Sequence, residues 1–225
     1  MTHPLERIHN DLKDYGLLPT FKDVFLRSVN RVMFMKVLRC LKVEAVQPEL
    51  LDPPKGYRGV VLGYPELRKY FDASEYELPR SFVEQACEKG DRCYGLFRGD
   101  TLGAYQWYST RTTDTGWHAL AVGFADQYVY MYKAFTHPDH RGRRLYPVGV
   151  TTMLVDYLEC GYKGIVAVTE TNNFAALNSC HRMGFRDCGT VFAAILLNHY
   201  FLHADAESQA CGFRLTRTDR PLNII

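Results

Sequence analysis

The sequence predicts an α/β domain, and three observations carry that prediction. Residues 128–197 alternate strand, basic turn, helix, strand, helix and strand, a pattern whose apolar faces can only be buried in layers. Two strand-like runs, 92–97 and 102–108, flank the polar turn Arg98-Gly99-Asp100-Thr101, which marks an antiparallel hairpin. A chain of 225 residues that is 47% hydrophobic can bury one substantial core but not two large domains.

The elements follow in order. Residues 21–43 read as a helix, because Leu26, Val29, Met33, Val37, Cys40 and Leu41 recur at three- and four-residue steps. Lys22, Arg27, Arg31, Lys36, Arg39 and Lys42 make its other faces basic. That favours a docked helix with a solvated basic face, and leaves open a peripheral membrane contact or an acidic partner. Pro53-Pro54-Lys55-Gly56 punctuates the chain, so an N-terminal helical extension is placed at 1–57 and the main domain at 58–204. Within the domain, 59–62 suits a short strand and 65–71 a short helix. A second helix spans 79–89, with Pro79 in its first turn and Gly90 after its end. After the hairpin, 109–126 is rich in Thr, Asp and Gly and reads as a loop, although 117–124 has the composition of a further strand. Residues 128–136 form the clearest strand, with Tyr128, Tyr130 and Tyr132 on one face. A helix at 145–162, a buried strand at 164–169, a helix at 172–183 and an apolar strand at 189–197 complete the order. The tail, 205–225, is polar and carries no readable pattern.

Charge and cysteine usage narrow the function classes. The 27 basic and 25 acidic residues nearly cancel, so a nucleic-acid partner is not expected and any anion site must be local. The seven cysteines are odd in number, and none is spaced C-x-x-C. That argues against a disulfide framework and against a structural metal site, and points to a reducing cytoplasm. No basic start followed by an apolar signal region is present, and no apolar run approaches the ~18 residues of a transmembrane segment. Oligomeric state is not readable from these features.

The stretch Phe135-Thr136-His137-Pro138-Asp139-His140-Arg141-Gly142-Arg143-Arg144-Leu145 is the chemically pointed one. A strand stops at a Pro and reopens as a helix through a basic turn. A helix start leaves about four N–H groups without internal partners, and its dipole favours an anion there. Gly142 allows close backbone approach, while Arg141, Arg143 and Arg144 supply charge. No Gly-Lys-Ser/Thr follows, and a single glycine stands where a dinucleotide fingerprint wants three, so neither nucleotide motif fits.

One helix and one strand later comes Asn173-Phe174-Ala175-Ala176-Leu177-Asn178-Ser179-Cys180-His181-Arg182-Met183-Gly184-Phe185. Together the two stretches resemble the GNAT superfamily of N-acetyltransferases, over roughly residues 58–200. The turn 139–144 resembles that family's Q/R-x-x-G-x-G/A pyrophosphate loop. Asn173, Ala176, Leu177, Cys180, Gly184 and Phe185 resemble its N-x-x-A-I/L-x-x-Y-x-x-x-G-F helix. The resemblance implies a mixed, mostly antiparallel sheet flanked by helices, with acetyl-CoA or another acyl-CoA as co-substrate. It implies cofactor contacts at Phe135, Thr136, His137, Arg141, Gly142, Arg143, Arg144, Leu145, Asn173 and Ala176, and no metal. The departures are Asp139 for Gln or Arg, Arg144 for a small residue, and Cys180 for the Tyr that protonates the leaving thiolate.

The implied reaction is direct attack of an amine on the thioester. A lysine-like amine of pKa ~10.4 is mostly protonated at pH 7, and freeing it costs roughly 4.6 kcal/mol at 1.36 per unit, so a base is useful. Glu170, past the strand 164–169, and His137, at the mouth of the turn, are the candidates, each with a competing role as a cap or packing residue. The carbonyl oxygen needs an N–H donor, which the resemblance places on a bulged strand near 134–136. Tyr130 and Tyr132 are candidates to line the acceptor site. Cys180 adjoins Ser179 and His181, but adjacent helix positions do not face one another, so it reads as a weak acid, pocket wall or packing residue. The expected activity is transfer of an acetyl or longer acyl group to a small amine such as an amino sugar or amino acid. Two alternatives stand beside it: a long-chain N-acyl amino acid synthase fed by acyl carrier protein, and a non-catalytic acyl-CoA sensor.

Overall fold

The computed structural model describes residues 12, 13, 16–18, 20, 21, 24, 25, 34–71 and 73–218. The strands are β1 (Phe34–Val43), β2 (Tyr57–Leu62), β3 (Arg92–Arg98), β4 (Thr101–Ser109), β5 (Thr113–Asp114), β6 (Leu120–Gly123), β7 (Tyr128–Thr136), β8 (Gly164–Glu170), β9 (Arg186–Leu196), β10 (His199–Ala204) and β11 (Arg214–Arg217). The helices are α1 (Tyr64–Leu67), α2 (Arg80–Lys89), α3 (Leu145–Glu159), α4 (Phe174–Arg182) and α5 (Ala206–Ala210).

An eight-stranded sheet runs in the order β10-β9-β1-β8-β7-β4-β3-β2, and a three-stranded sheet in the order β11-β6-β5. Every pairing in the large sheet is antiparallel except β7 with β8. One face carries α3 and α4 over a core that includes Leu41, Val129, Met153 and Phe185. The opposite face carries α2 over Tyr105 and Trp107, and a second cluster in which Phe213 and Val122 cover Tyr130 and Cys188. The result is the α/β layering expected from the element order.

The parallel pair is short. Tyr128, Val129 and Tyr130 lie opposite Gly164, Ile165 and Val166, and pairing then stops although both strands continue. Beyond Tyr130, β7 has β4 on one side only, so the sheet opens between β7 and β8 at their carboxyl ends, where α/β folds place ligands. Gly164 permits the start of this pair, since a Cβ there would overlap the Val43 carbonyl oxygen of β1.

Two expectations are corrected here. Residues 34–43 of the expected helix 21–43 form a strand in the middle of the large sheet, between β9 and β8. Leu38 and Cys40 pack on one face, while Leu41 and Val43 pack on the other. A strand covered on both sides has no single period, so its apolar residues can be matched to helical steps by accident. Of the basic residues that suggested a solvated stripe, the three that lie in β1 form ion pairs: Lys36 with Glu170 at 2.7 Å, Arg39 with Asp187 at 3.5 Å and Lys42 with Glu44 at 3.3 Å. Residues 22, 23 and 26–33 of that helix lie outside the described residues. The chain therefore joins the sheet at Phe34, well before the boundary drawn at 57.

The tail is the second correction. Asp205 caps α5 by accepting from Ser208 N–H at 2.8 Å, and its other oxygen accepts from Thr190 N–H at 2.7 Å. β11 then pairs with β6, so 205–217 closes one face of the sheet. Within 109–126, β6 falls in the stretch 117–124 whose composition suited a strand; it pairs with the distant β11 on one side and with the nearby β5 on the other. Cys160, just past the end of α3, is exposed. Among the described residues, no helix is long and apolar enough to cross a membrane.

Candidate active site

The basic turn is built by local hydrogen bonding. Pro138 opens a 3-10 turn over Pro138–His140, with His137 as its cap: Asp139 N–H donates to His137 Nδ1 at 3.3 Å. His140 N–H donates to the His137 carbonyl at 2.9 Å and Arg141 N–H to the Pro138 carbonyl at 3.2 Å. Arg141 Nε also reaches back to the Thr136 carbonyl at 3.4 Å. The backbone then passes through the left-handed region twice, at Gly142 (φ 73°) and at Arg144 (φ 57°), before α3 begins. The second passage explains why the resembling motif favours a small residue there, since a non-glycine side chain in that conformation costs about 1 kcal/mol. Arg144 carries this strain and adds a guanidinium at the helix start.

His140 anchors the turn from below. It is buried, its Nδ1 lies 2.7 Å from Tyr57 Oη, and a Cβ on Gly103 would press on its ring. Burial, reinforced by His137 and Arg143, pushes its pKa below the ordinary histidine value and favours the neutral ring.

A cleft of about 450 Å³ opens over this turn, lined by Leu50, Thr136, His140, Arg141, Gly142, Arg143, Arg144, Leu145, Tyr146, Pro147, Ser179, Arg182 and Met183. Its size is that of a small-ligand site. Arg141 to Arg144 are exposed along it, Arg182 faces them from α4, and the first turn of α3 forms its floor. Pro147 sits in that first turn and has no N–H to offer, so Leu145 and Tyr146 supply the helix-start donors there. Leu50, Leu145 and Met183 give the cleft an apolar side.

The residues expected from sequence fall into two groups. Thr136, Arg141, Gly142, Arg143, Arg144 and Leu145 line the cleft together. Phe135, His137, Asn173 and Ala176 are not among its lining residues and have other contacts. Phe135 stacks on Tyr105 with ring centroids 5.3 Å apart. His137 caps the 3-10 turn and packs on Tyr76. Asn173 caps α4, its Oδ1 accepting from Ala176 N–H at 3.2 Å. Asp139 is 84% exposed, and its carboxylate lies nearest His137 rather than an arginine, 3.9 Å from Nδ1.

The catalytic candidates are dispersed as well. Glu170 is ion-paired with Lys36 at the end of β8 and is not part of the cleft lining. Cys180 is 2% exposed and its thiol is pushed up by burial, which opposes a nucleophilic thiolate. The irregularity in β7 falls at Tyr132, where the register with β4 skips from Lys133 to Met131, whereas Ala134, Phe135 and Thr136 are regularly paired. Tyr130 is buried against Phe124, and Tyr132 Oη donates to Asp91 Oδ2 at 2.7 Å, with the Lys89 ammonium 2.9 Å from the same oxygen. Both tyrosines thus face the covered side of the sheet.

Besides His140 and Pro147, which belong to the turn and the helix start, sequence reasoning missed Tyr146, Leu50, Ser179, Arg182 and Met183. Arg182 and Met183 were within reach, because they stand three and four residues after Ser179 and so share a helix face with it. Leu50 was not, since it comes from the segment assigned to an extension. Tyr146 is the most chemically distinctive of the five. Its hydroxyl is directed at two sulfurs, Met131 Sδ at 3.8 Å and Cys180 Sγ at 3.9 Å.

No protein-family model and no curated protein matches the sequence. Solved structures do match. The chain superposes on a GNAT-family acetyltransferase structure from Novosphingobium aromaticivorans DSM 12444 with a TM-score of 0.51 at 14% identity, covering 72% of this chain and 64% of that one. A GCN5-related N-acetyltransferase-like protein from Streptococcus suis gives 0.50 at 10% identity, covering 82% and 68%. A Drosophila protein gives 0.53 at 14% identity, covering 81% and 59%. The chain thus spans under two thirds of the length of the first and third of these structures. The molecule has the GNAT acetyltransferase fold.

Proposed function

We propose that the chain is an acyltransferase that takes an acetyl or longer acyl group from acyl-CoA and delivers it to a small amine. The observation that carries this reading is the convergence, in one cleft, of the Arg141–Arg144 turn, the α3 start and Arg182 beside the opening between β7 and β8. A pyrophosphate fits the basic end, by charge-assisted contacts to guanidinium groups and backbone N–H donors. The apolar side formed by Leu50, Leu145 and Met183 suits a slender pantetheine-like arm. In this reading the thioester lies in the strand opening, where an amine can attack the carbonyl carbon directly. No covalent step is assigned to Cys180, whose buried thiol is poorly suited to one.

A second reading, an acyl-CoA sensor without turnover, is favoured by one observation: both candidate bases are engaged, Glu170 by Lys36 and His137 as a cap. Titration calorimetry with CoA and acetyl-CoA, followed by thiol release across a panel of amino sugars and amino acids, separates the two. Binding with turnover is expected. Binding without turnover on any amine selects the sensor, and no binding at all removes both. Acyl carrier protein loaded with the same acyl group, run beside acetyl-CoA, tests whether the exposed arginines receive a protein donor instead.

A further inference from the structure

We propose that Tyr146 Oη is the hydrogen-bond donor that receives the sulfur of the departing thiolate, an assignment that rests on the acyl-CoA reading above. Tyr146 lines the cleft from the first turn of α3, directly after the basic turn. Its hydroxyl lies against Met131, the first β7 residue past the last β7–β8 pair at Tyr130. A ligand anchored at Arg141–Arg144 and running along the cleft into the strand opening therefore brings its thioester toward this hydroxyl.

The surroundings of the hydroxyl suit that task. Its near neighbours, Met131 Sδ and Cys180 Sγ, are weak acceptors, so the proton is not committed to a strong internal bond. The titratable groups that face it are Cys180 and Tyr108, and burial keeps both protonated near neutral pH. Among the described residues, no anion competes for the hydroxyl and none repels an incoming thiolate. Cys180 stands where the resembling motif carries a tyrosine, and the Tyr146 hydroxyl comes within 3.9 Å of its sulfur from the neighbouring helix.

The chemistry defines the role more closely. As the C–N bond forms and the C–S bond breaks, the sulfur leaves with the bonding electron pair, and the proton shed by the amine nitrogen ends on sulfur. Burial pushes the Tyr146 hydroxyl above its ordinary value, well above a thiol near ~8.5. Full proton transfer from tyrosine to the thiolate is therefore uphill. Tyr146 instead donates a hydrogen bond to the developing charge and keeps its proton, as an oxyanion donor does for oxygen.

The test needs no acceptor. The thiol of CoA bound to the full-length protein is titrated by ultraviolet thiolate absorbance, in wild type and in Tyr146→Phe, with desulfo-CoA affinity measured in parallel. The thiol is expected to titrate about one unit higher in the variant, a tenfold smaller thiolate fraction, with desulfo-CoA affinity unchanged. Identical titration curves overturn the assignment. An equal loss of affinity for CoA and desulfo-CoA also overturns it, since the ring would then be only a wall of the cleft. Failure of wild type to bind CoA instead overturns the reading on which the assignment rests.

Discussion

The two stretches that carry the family resemblance do different work. In the turn 139–144, the residues singled out by sequence face the cleft: Arg141, Gly142, Arg143 and Arg144 all line it. In the helix 173–185, Asn173 caps α4, while Cys180 and Phe185 are buried in the core. The cleft is lined instead by Ser179, Arg182 and Met183, which the motif does not specify. A recurring pattern can therefore mark either a ligand contact or the scaffold that presents one. Variants in the turn should alter affinity, and variants at the helix pattern should alter stability.

Gly142→Asp should have the largest effect. Apart from its chain neighbours, no atom lies within 4 Å of a Cβ at this position, so the new side chain meets the ligand rather than the core, and the cost to the fold is the left-handed backbone, about 1 kcal/mol. Placing a carboxylate there should weaken CoA binding about 100-fold, equivalent to two charged contacts at roughly 1.5 kcal/mol each. Calorimetry checks this, and affinity within threefold of wild type would remove the turn from the site. Arg144→Gly should divide the two quantities. Relief of the left-handed backbone, partly offset by a more flexible unfolded chain, should stabilise the protein by up to about 1 kcal/mol. Loss of the guanidinium should nonetheless weaken CoA binding roughly tenfold. A melting temperature that rises while affinity falls is the expected signature.

How much of this was legible in the sequence follows the same division. The strand at 128–136, the helix from 145 and the anion-binding turn were legible because local chemistry dictates them: alternation, a Pro, a glycine and a helix start. β1 was not, because a strand covered on both faces loses its period, and its partners β8 and β9 lie more than a hundred residues away. β11 shares that difficulty with β6. Tyr146 was unreadable for a third reason. Its value depends on the Oη contact with Cys180 across two helices, and no spacing along the chain encodes that.

Asn173→Ala tests the scaffold half of the comparison. Loss of the cap should cost about 1 kcal/mol and lower the melting temperature by roughly 2–4 °C in a chain of this size. CoA affinity should stay within about twofold, because Asn173 does not line the cleft. A tenfold loss of affinity with unchanged melting would place Asn173 on the ligand and collapse the distinction.

The smallest effect expected lies beneath the turn, at His140. Its pKa is depressed in the folded protein, chiefly by burial, from an ordinary value of 6.5. Between the depressed and the ordinary value the unfolded chain binds more protons than the folded one, so stability rises with pH across that window. It is fully present above about 6.5 and is lost as pH falls toward the folded-state value. His140→Gln keeps a polar group near Tyr57 but removes the titration. The melting temperature of the variant should therefore change less than that of wild type between about pH 7.5 and pH 5. Because His140 packs under the backbone that presents Gly142 and Arg144, CoA affinity in wild type should fall over the same window. Parallel pH profiles in the two proteins would show that the turn is held by its own hydrogen bonds and not by the neutral histidine below it.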